Sequence, residues 1–382
     1  MTGPLTAPPR TRPSVPFTRP PMAPDLPAAV LRVIDSGWLT TGAECAAFER
    51  ELADHLGVRE LVAVASCTQA IELCLRALGL PAGAAVLTPS LTFCGAVAAI
   101  LHAGLRPVLV DVDPDTLVPD EQAVAAAARR VGGAQAMLVC HLGGYPVDVP
   151  RLAAAAGLPA ERVVEDAAHG IGGAVHGQGA QAACFSFYAT KNLPIGEGGA
   201  VATKDPELAG WLRRMRLHGM SSDAWRRYLP GGRWRYDVPE VGYKANLTDV
   251  QAAIGRAQLT GLAGWHRRRQ QLAARYDAGL DRLIRLPRRA EGHAWHLYQV
   301  LVPHRDRIAD ELAGRGIGTS VHFVPVHQLA GFAMALGHLE CASCPVTDLV
   351  GEQLLSLPLY PALTDDQQSV VIEAVTEVVR RL

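Results

Sequence analysis

The sequence predicts an α/β protein: a large domain with a mostly parallel sheet flanked by helices, plus a smaller C-terminal α+β domain. Two observations carry that expectation. Short runs rich in branched and apolar residues recur between segments of helical periodicity, at Leu61 to Ala65, Ala85 to Pro89, Pro107 to Asp113, Ala136 to His141 and Arg162 to Asp166. Each ends in a turn rich in glycine, proline, aspartate or hydroxyl residues, and repeated units of this kind imply parallel strands joined by crossover helices. The chain is also long enough, at 382 residues of which 49% are hydrophobic, to bury the core of two domains.

Taken in order, residues 1–25 are dense in proline and lack a continuous apolar stretch, so they read as an extended arm and not as a secretory signal. Residues 26–249 are expected to form the large domain, and residues 250–382 a linking helix and the small domain. Ser36 to Gly42 is a glycine-bounded loop, and Ala43 to Leu56 an amphipathic helix with Phe48, Leu52 and Leu56 on one face. After the strand at Leu61, the triplet Ser66-Cys67-Thr68 leads into a helix from Gln69 to Leu78. A Ser/Thr pair there is sufficient as an N-cap. The same helix N-terminus, with free N–H groups and a positive dipole end, can also hold a phosphate, with Ser66 and Thr68 adding hydroxyl donors. Phe93 opens the following helix from outside its apolar face, where it can cover a flat ring, although aromatics in such places more often pack in cores.

The most informative stretch is Ala182 to Val201. Its apolar run from Cys184 to Tyr188 reads as a buried strand that delivers Lys191 into a turn closed by Gly196, Gly198 and Gly199. A lysine after a strand is ordinarily a solvated loop residue. Here it would sit at the mouth of a core, where desolvation lowers an amine's pKa and leaves the neutral form that attacks a carbonyl. Upstream, the short strand from Arg162 ends on Asp166, at the edge where open α/β sheets bind ligands. Pyridoxal phosphate needs a lysine for its aldehyde and a carboxylate to keep its ring nitrogen protonated, and Lys191 and Asp166 supply that pair.

Beyond Val201 the pattern changes. Trp211 to Asp237 is crowded with arginine and tryptophan and reads as irregular, while Val241 to Asp249 precedes a long helix running from near Val250 to Arg275, capped by Thr248 or Asp249. Strands are expected around Leu297 to Val302 and Gly318 to Phe323, and helices near Arg307 to Arg315 and Asp365 to Arg381.

Composition excludes several classes. With 36 Lys+Arg against 37 Asp+Glu the net charge is -1, so nothing electrostatic favours nucleic acid or an anionic membrane. No stretch is apolar for long enough to span a bilayer. The 8 cysteines are scattered through apolar runs, as reduced cysteines of a cytoplasmic protein are. Only Cys341 and Cys344 have metal-like spacing, and without a second ligand pair they read as free thiols, so no metal is expected.

Several stretches together resemble the DegT/DnrJ/EryC1/StrS aminotransferases: Ser186 to Gly199, Glu165 to His169, Ser66 to Thr68, Ser36 to Gly42, Gly242 to Gln251, Gly316-Ile317 with Val321 to His327, and Leu355 to Tyr360. The resemblance is collinear from about Pro16 to the C-terminus. It implies a fold-type-I enzyme using pyridoxal 5'-phosphate, with Lys191 carrying the cofactor and acting in turn as nucleophile and general acid/base. Asp166 would partner the pyridine nitrogen, Ser186 and the backbone of Cys67 and Thr68 would bind the phosphate, and Phe93 would stack on the ring. His169 falls where the family often has glutamine near the phenolic oxygen. Cys67 stands where glycine is usual. Lys244 stands where an asparagine commonly reaches the phosphate from a neighbouring subunit, with Asn246 a second candidate for that contact. Tyr243, His322 and His327 are candidate substrate-binding residues. The implied reaction is ping-pong transfer of an amino group from glutamate or glutamine to the keto group of a nucleotide-linked sugar, in a homodimer with shared active sites. A keto-cyclitol acceptor of the inosose type and a non-catalytic pyridoxal-phosphate-binding regulator are the alternatives.

Overall fold

The computed structural model describes residues 15–173, 179–221, 236–336 and 344–381. The chain opens with helices α1 (Leu26–Ser36) and α2 (Ala43–Leu56) and then enters a seven-stranded sheet. Its strands are β1 (Glu60–Val64), β2 (Ala85–Pro89), β3 (Arg106–Val110), β4 (Ala136–Cys140), β5 (Val163–Asp166), β6 (Ala182–Ser186) and β7 (Gly199–Thr203), in the spatial order β1-β7-β6-β5-β4-β2-β3. Parallel pairing joins β3, β2, β4, β5 and β6, whereas β7 runs antiparallel to both β6 and β1. β1 is thereby parallel to the rest, and among the described strands of this sheet β7 alone is reversed. Helices α3 (Cys67–Ala77), α4 (Cys94–His102), α5 (Glu121–Arg130), α6 (Val149–Ala156) and α7 (Pro206–Met215) follow their strands in sequence.

Both faces of the sheet are buried, which is why its strands read as near-continuous apolar runs. Val62, Val64, Leu138, Val164, Cys184 and Val201 pack under α3, α4 and α7. Leu61, Ala63, Phe185 and Ala202 pack on the opposite face against Phe48 and Leu52 of α2 and Ala252 of α8 (Asp249–Leu259). A second core lies around the antiparallel pair β8 (Tyr298–Leu301) and β9 (Leu354–Leu357), covered by α9 (Leu262–Leu280), α10 (Arg305–Gly314) and α13 (Asp365–Arg380). α11 (Ala330–Leu336) and α12 (Pro345–Gln353) complete the described helices.

Several local expectations need correcting. The helix expected from Val250 to Arg275 is two helices: α8 begins at a Thr248/Gln251 capping box and stops at Leu259, and α9 starts after Thr260 and Gly261. Trp211 to Met215 belongs to α7, whose hydrophobic face buries Leu208 and Leu212 despite the surrounding arginines. Residues 222–235 of that arginine- and tryptophan-rich stretch lie outside the described residues, as do residues 1–14 of the arm and Cys341. Gly318 to Phe323 contributes only a bridge, Ser320 to Ser356, because the partner of β8 is β9. The buried strand before Lys191 is Ala182–Ser186, two residues earlier than its apolar run suggests, since Phe187 already turns into the loop. No helix among the described residues is long and apolar enough to cross a membrane.

Candidate active site

Because β1, β2, β4, β5 and β6 run the same way, their C-terminal ends share one edge of the sheet. Ser66, Cys67 and Thr68 follow β1, Phe93 follows β2, Asp166 ends β5 with His169 just beyond, and Ser186 ends β6 with Lys191 beyond. All of them line one cavity of about 460 Å³, joined by His322 from the C-terminal part of the chain. That volume is typical of a site for a small organic molecule, and the edge is where open α/β sheets bind ligands.

At one end stands the N-terminus of α3. Ser66 is its N-cap, in extended backbone, and accepts from the Gln69 N–H at 3.2 Å. The helix can approach β7 this closely only because position 199 is glycine. A Cβ there would lie 2.5 Å from the Ser66 carbonyl carbon and 2.6 Å from the Cys67 nitrogen. Gly95 does the same for Thr68, whose Oγ1 would be 2.7 Å from an added Cβ. The result is a cradle of N–H groups and hydroxyls at a positive helix end, the donor set of an anion site.

Asp166 is 5% exposed. Its Oδ1 accepts from the Ala168 N–H at 3.0 Å and lies 3.8 Å from the Cys67 sulfur. Burial pushes this carboxyl upward, opposed by the Ala168 N–H, the Lys191 charge and the Cys67 thiol. Lys191 is partly accessible to the cavity yet enclosed enough that desolvation lowers its pKa, with Asp166 opposing. The two charges therefore act on one another across a single desolvated space. The loop that presents Lys191 is closed by its own N–H on the Tyr188 carbonyl at 2.8 Å. Next to it, Asn192 donates to the Ile171 and Ala294 carbonyls, both at 2.9 Å, and meets His296 Nδ1 at 3.2 Å.

Histidines form the opposite wall. The His169 and His296 rings lie with centroids 4.4 Å apart and planes tilted by 37°, and His322 is held by Ser356 at 3.0 Å and by the stacked Phe17 ring at 5.4 Å. Burial lowers the pKa of His169 and His296 well below the usual range and brings His322 to about 4. All three are neutral at pH 7. His169 Nδ1 accepts from the Gly143 N–H at 3.1 Å, so its proton sits on Nε2 and is available for donation.

The donor set fits pyridoxal phosphate: an anion cradle, a buried carboxylate, an amine of lowered pKa and flanking aromatic rings converge in one cavity. His296, Phe323, Tyr188, Thr190 and Glu197 also line it and were not anticipated. Tyr188 and Thr190 could have been found from their adjacency to Lys191, whereas His296 and Phe323 carry no local signal. Four candidates lie outside the cavity in the single chain. Tyr243 packs beside α3 under the Arg76 guanidinium, 5.2 Å from its ring centroid. Lys244 is exposed, and its backbone bridges Leu217. Asn246 donates to Thr41 Oγ1 at 2.7 Å. His327 is bonded through both ring nitrogens, to Ser90 and Asp348. Among the described residues no group of three or more His, Cys, Asp or Glu side chains is arranged to hold a metal ion.

The Bacillus subtilis (strain 168) spore coat polysaccharide biosynthesis protein SpsC is 39% identical over 369 residues, covering 92% of this chain and 93% of that one. The crystal structure of DesV from S. venezuelae, in complex with a ketimine intermediate, superposes with a TM-score of 0.83 at 36% identity, covering 94% of this chain and 95% of that one. NtdA from Bacillus subtilis, with bound cofactor PMP, gives 0.84 at 29% identity, covering 97% and 86%. The DegT/DnrJ/EryC1/StrS aminotransferase family model matches residues 22–376, and the chain belongs to that family.

Proposed function

We propose that the protein is a pyridoxal-phosphate-dependent enzyme that moves an amino group from glutamate or glutamine to the keto group of a nucleotide-linked sugar. The observation that carries this reading is the convergence of Lys191 and Asp166 in the cavity at the N-terminus of α3. The PMP bound to NtdA and the ketimine of DesV support the same cofactor here. Pyridoxal phosphate supplies an electron sink that stabilises a carbanion next to nitrogen.

The chain's own residues divide the remaining work. Ser66, Cys67, Thr68 and Ser186 would bind the phosphate, and Asp166 would hold the ring nitrogen protonated. Phe93 would cover one face of the ring, and neutral His169 would donate from Nε2 to the phenolic oxygen. Lys191 Nζ would hold the cofactor through its aldehyde and, as a free amine, would move a proton to and from the substrate α-carbon, a task suited to its lowered pKa. His322 and His296 are neutral and present hydrogen-bonding groups of the kind a hydroxylated acceptor needs. Residues 26–249 and 250–382 would act as the two domains that enclose the substrates, in a cytoplasmic enzyme.

The exposed rings of Phe93 (54%) and Tyr188 (48%) at the cavity, and the exposed Val241 and Lys244, suit a homodimer in which the partner copy completes the site. In that arrangement Lys244, Asn246 or Tyr243 would serve the neighbouring cavity. The second reading, a keto-cyclitol acceptor, uses the same residues. The test is a half-reaction. The yellow protein is mixed with L-glutamate or L-glutamine, and conversion to the pyridoxamine spectrum is followed. Dependence of the return step on dTDP-, UDP- and GDP-linked keto sugars and keto-cyclitols is then measured. Return with a nucleotide-linked keto sugar supports the proposal, return with cyclitols alone selects the second reading, and absence of any half-reaction refutes both.

A further inference from the structure

Ser90, His327 and Asp348 form a hydrogen-bonded chain that the reaction described above does not use. Ser90 Oγ meets His327 Nδ1 at 2.6 Å, and His327 Nε2 meets Asp348 Oδ1 at 2.7 Å. A carboxylate only accepts, so Nε2 carries the proton and Nδ1 accepts from the Ser90 hydroxyl. The connectivity resembles a hydrolase triad. Ser90 is fully buried, however, and is not part of the cavity wall, so no substrate carbonyl reaches its oxygen.

What the chain of bonds does is tie three segments together. Ser90 lies three residues before Phe93, and His327 four residues after Phe323; both rings line the cavity, with centroids 5.6 Å apart. Ser90 also accepts from the Val326 N–H at 3.0 Å, so the two segments are joined by main chain as well as side chain. Asp348 belongs to α12, which Asp111 fixes to the end of β3 by accepting from the Val346 and Thr347 N–H groups at 3.0 and 2.7 Å. Phe93 is more than half exposed, so packing alone does not hold its ring in place.

We propose that His327 is a positioning residue: its Nδ1 bond to Ser90, made by a ring that Asp348 orients, sets where the Phe93 ring stands against Phe323 and thus the wall on which a planar cofactor rests. The proposal rests on the pyridoxal phosphate reading above. Its test compares the wild type with His327→Ala, His327→Asn, His327→Gln, Ser90→Ala and the double Ser90→Ala/His327→Ala. The readouts are pyridoxal phosphate affinity, the visible circular dichroism of the bound cofactor, and the rate of the glutamate half-reaction.

His327→Ala and Ser90→Ala are each expected to weaken cofactor binding about tenfold and change the dichroism, the scale of one buried hydrogen bond lost. The double variant should be no worse than either single one, because both remove the same link. His327→Asn, whose amide replaces Nδ1, should return to within about threefold of wild type, whereas His327→Gln, which reaches only Asp348, should not. That Asn/Gln contrast remains decisive if the alanine variant does not fold. Variants that melt at lower temperature with unchanged affinity and dichroism would overturn the positioning role. A wild-type protein that takes up no pyridoxal phosphate would instead overturn the cofactor reading, and the proposal with it.

Discussion

Replacing Gly199 with alanine should damage the site without touching any reacting group. An added Cβ would sit 2.5 Å from the Ser66 carbonyl carbon, 2.6 Å from the Cys67 nitrogen and 2.8 Å from the Ser66 oxygen, where ordinary contact begins at 3.4 Å. Something must move by about 0.9 Å, the difference between 3.4 and 2.5 Å. Neither side yields cheaply. Gly199 is paired in register with Val64 on one side and Ser186 on the other, and the opposing atoms are main chain in the first turn of α3. Overpacking of this kind costs about 1–3 kcal/mol. The same displacement would shift the helix N–H groups proposed to hold the phosphate, and shifts near 1 Å weaken positioned interactions substantially. The assay is denaturant unfolding together with absorbance titration by pyridoxal phosphate. A stability loss of about 1–3 kcal/mol is expected together with cofactor affinity reduced about tenfold or more, the equivalent of at least 1.4 kcal/mol. Gly314→Ala is the control, since nothing lies within 4 Å of its Cβ and alanine suits the end of α10. A Gly199→Ala protein as stable as wild type and equally tight for the cofactor would refute the argument that β7 seats the phosphate cradle.

Three further outcomes follow from the same geometry. Asp166→Asn removes one side of a buried charge pair, so the glutamate half-reaction should slow by roughly a hundredfold or more while the fold persists, as stopped-flow absorbance and far-ultraviolet dichroism would measure. Cofactor uptake by the apo protein should accelerate with rising pH, with a midpoint below the usual lysine value of 10.5, because burial lowers the Lys191 pKa; a midpoint at or above 10.5 would contradict the desolvated amine. The third concerns acid stability. His169, His296 and His322 titrate below their unfolded value of 6.5 when folded, His322 near 4. Between those limits the unfolded chain binds more protons, so the stability these groups contribute is complete above pH 6.5 and is lost as pH falls toward 4. Melting temperature should drop across that window, and His322→Gln should drop less steeply.

Much of the sheet was legible because both of its faces are covered, which leaves its strands as short apolar runs between turn residues. Asp166 and Lys191 stand out because one ends such a run and the other follows one by a short loop, and Ser66 because N-cap chemistry is local. What sequence pattern does not carry is how distant parts of the chain meet. His296 and Phe323 reach the cavity through contacts such as Asn192 to Ala294 and Val326 to Ser90, which join segments about 100 and more than 200 residues apart. β9 was hidden because Leu354 to Leu357 continues directly from α12, while the more strand-like Gly318 to Phe323 finds only a bridge. The break between α8 and α9 depends on Thr260 and Gly261, too weak a signal inside an otherwise helical pattern. Lys244 and Asn246 stand out only through the family resemblance and Tyr243 only as a candidate pocket residue, and within one chain none of the three lines the cavity.

The central claim is that Lys191 carries the cofactor, and covalent trapping tests it most directly. The protein is saturated with pyridoxal 5'-phosphate, reduced with borohydride and digested, and the peptides are mapped by mass spectrometry. The account predicts a single phosphopyridoxyl group on Lys191, and none on this peptide in a Lys191→Ala protein, which should also be colourless and inactive. A label on another lysine, or a Lys191→Ala protein that still turns over repeatedly with glutamate and an acceptor, would contradict it.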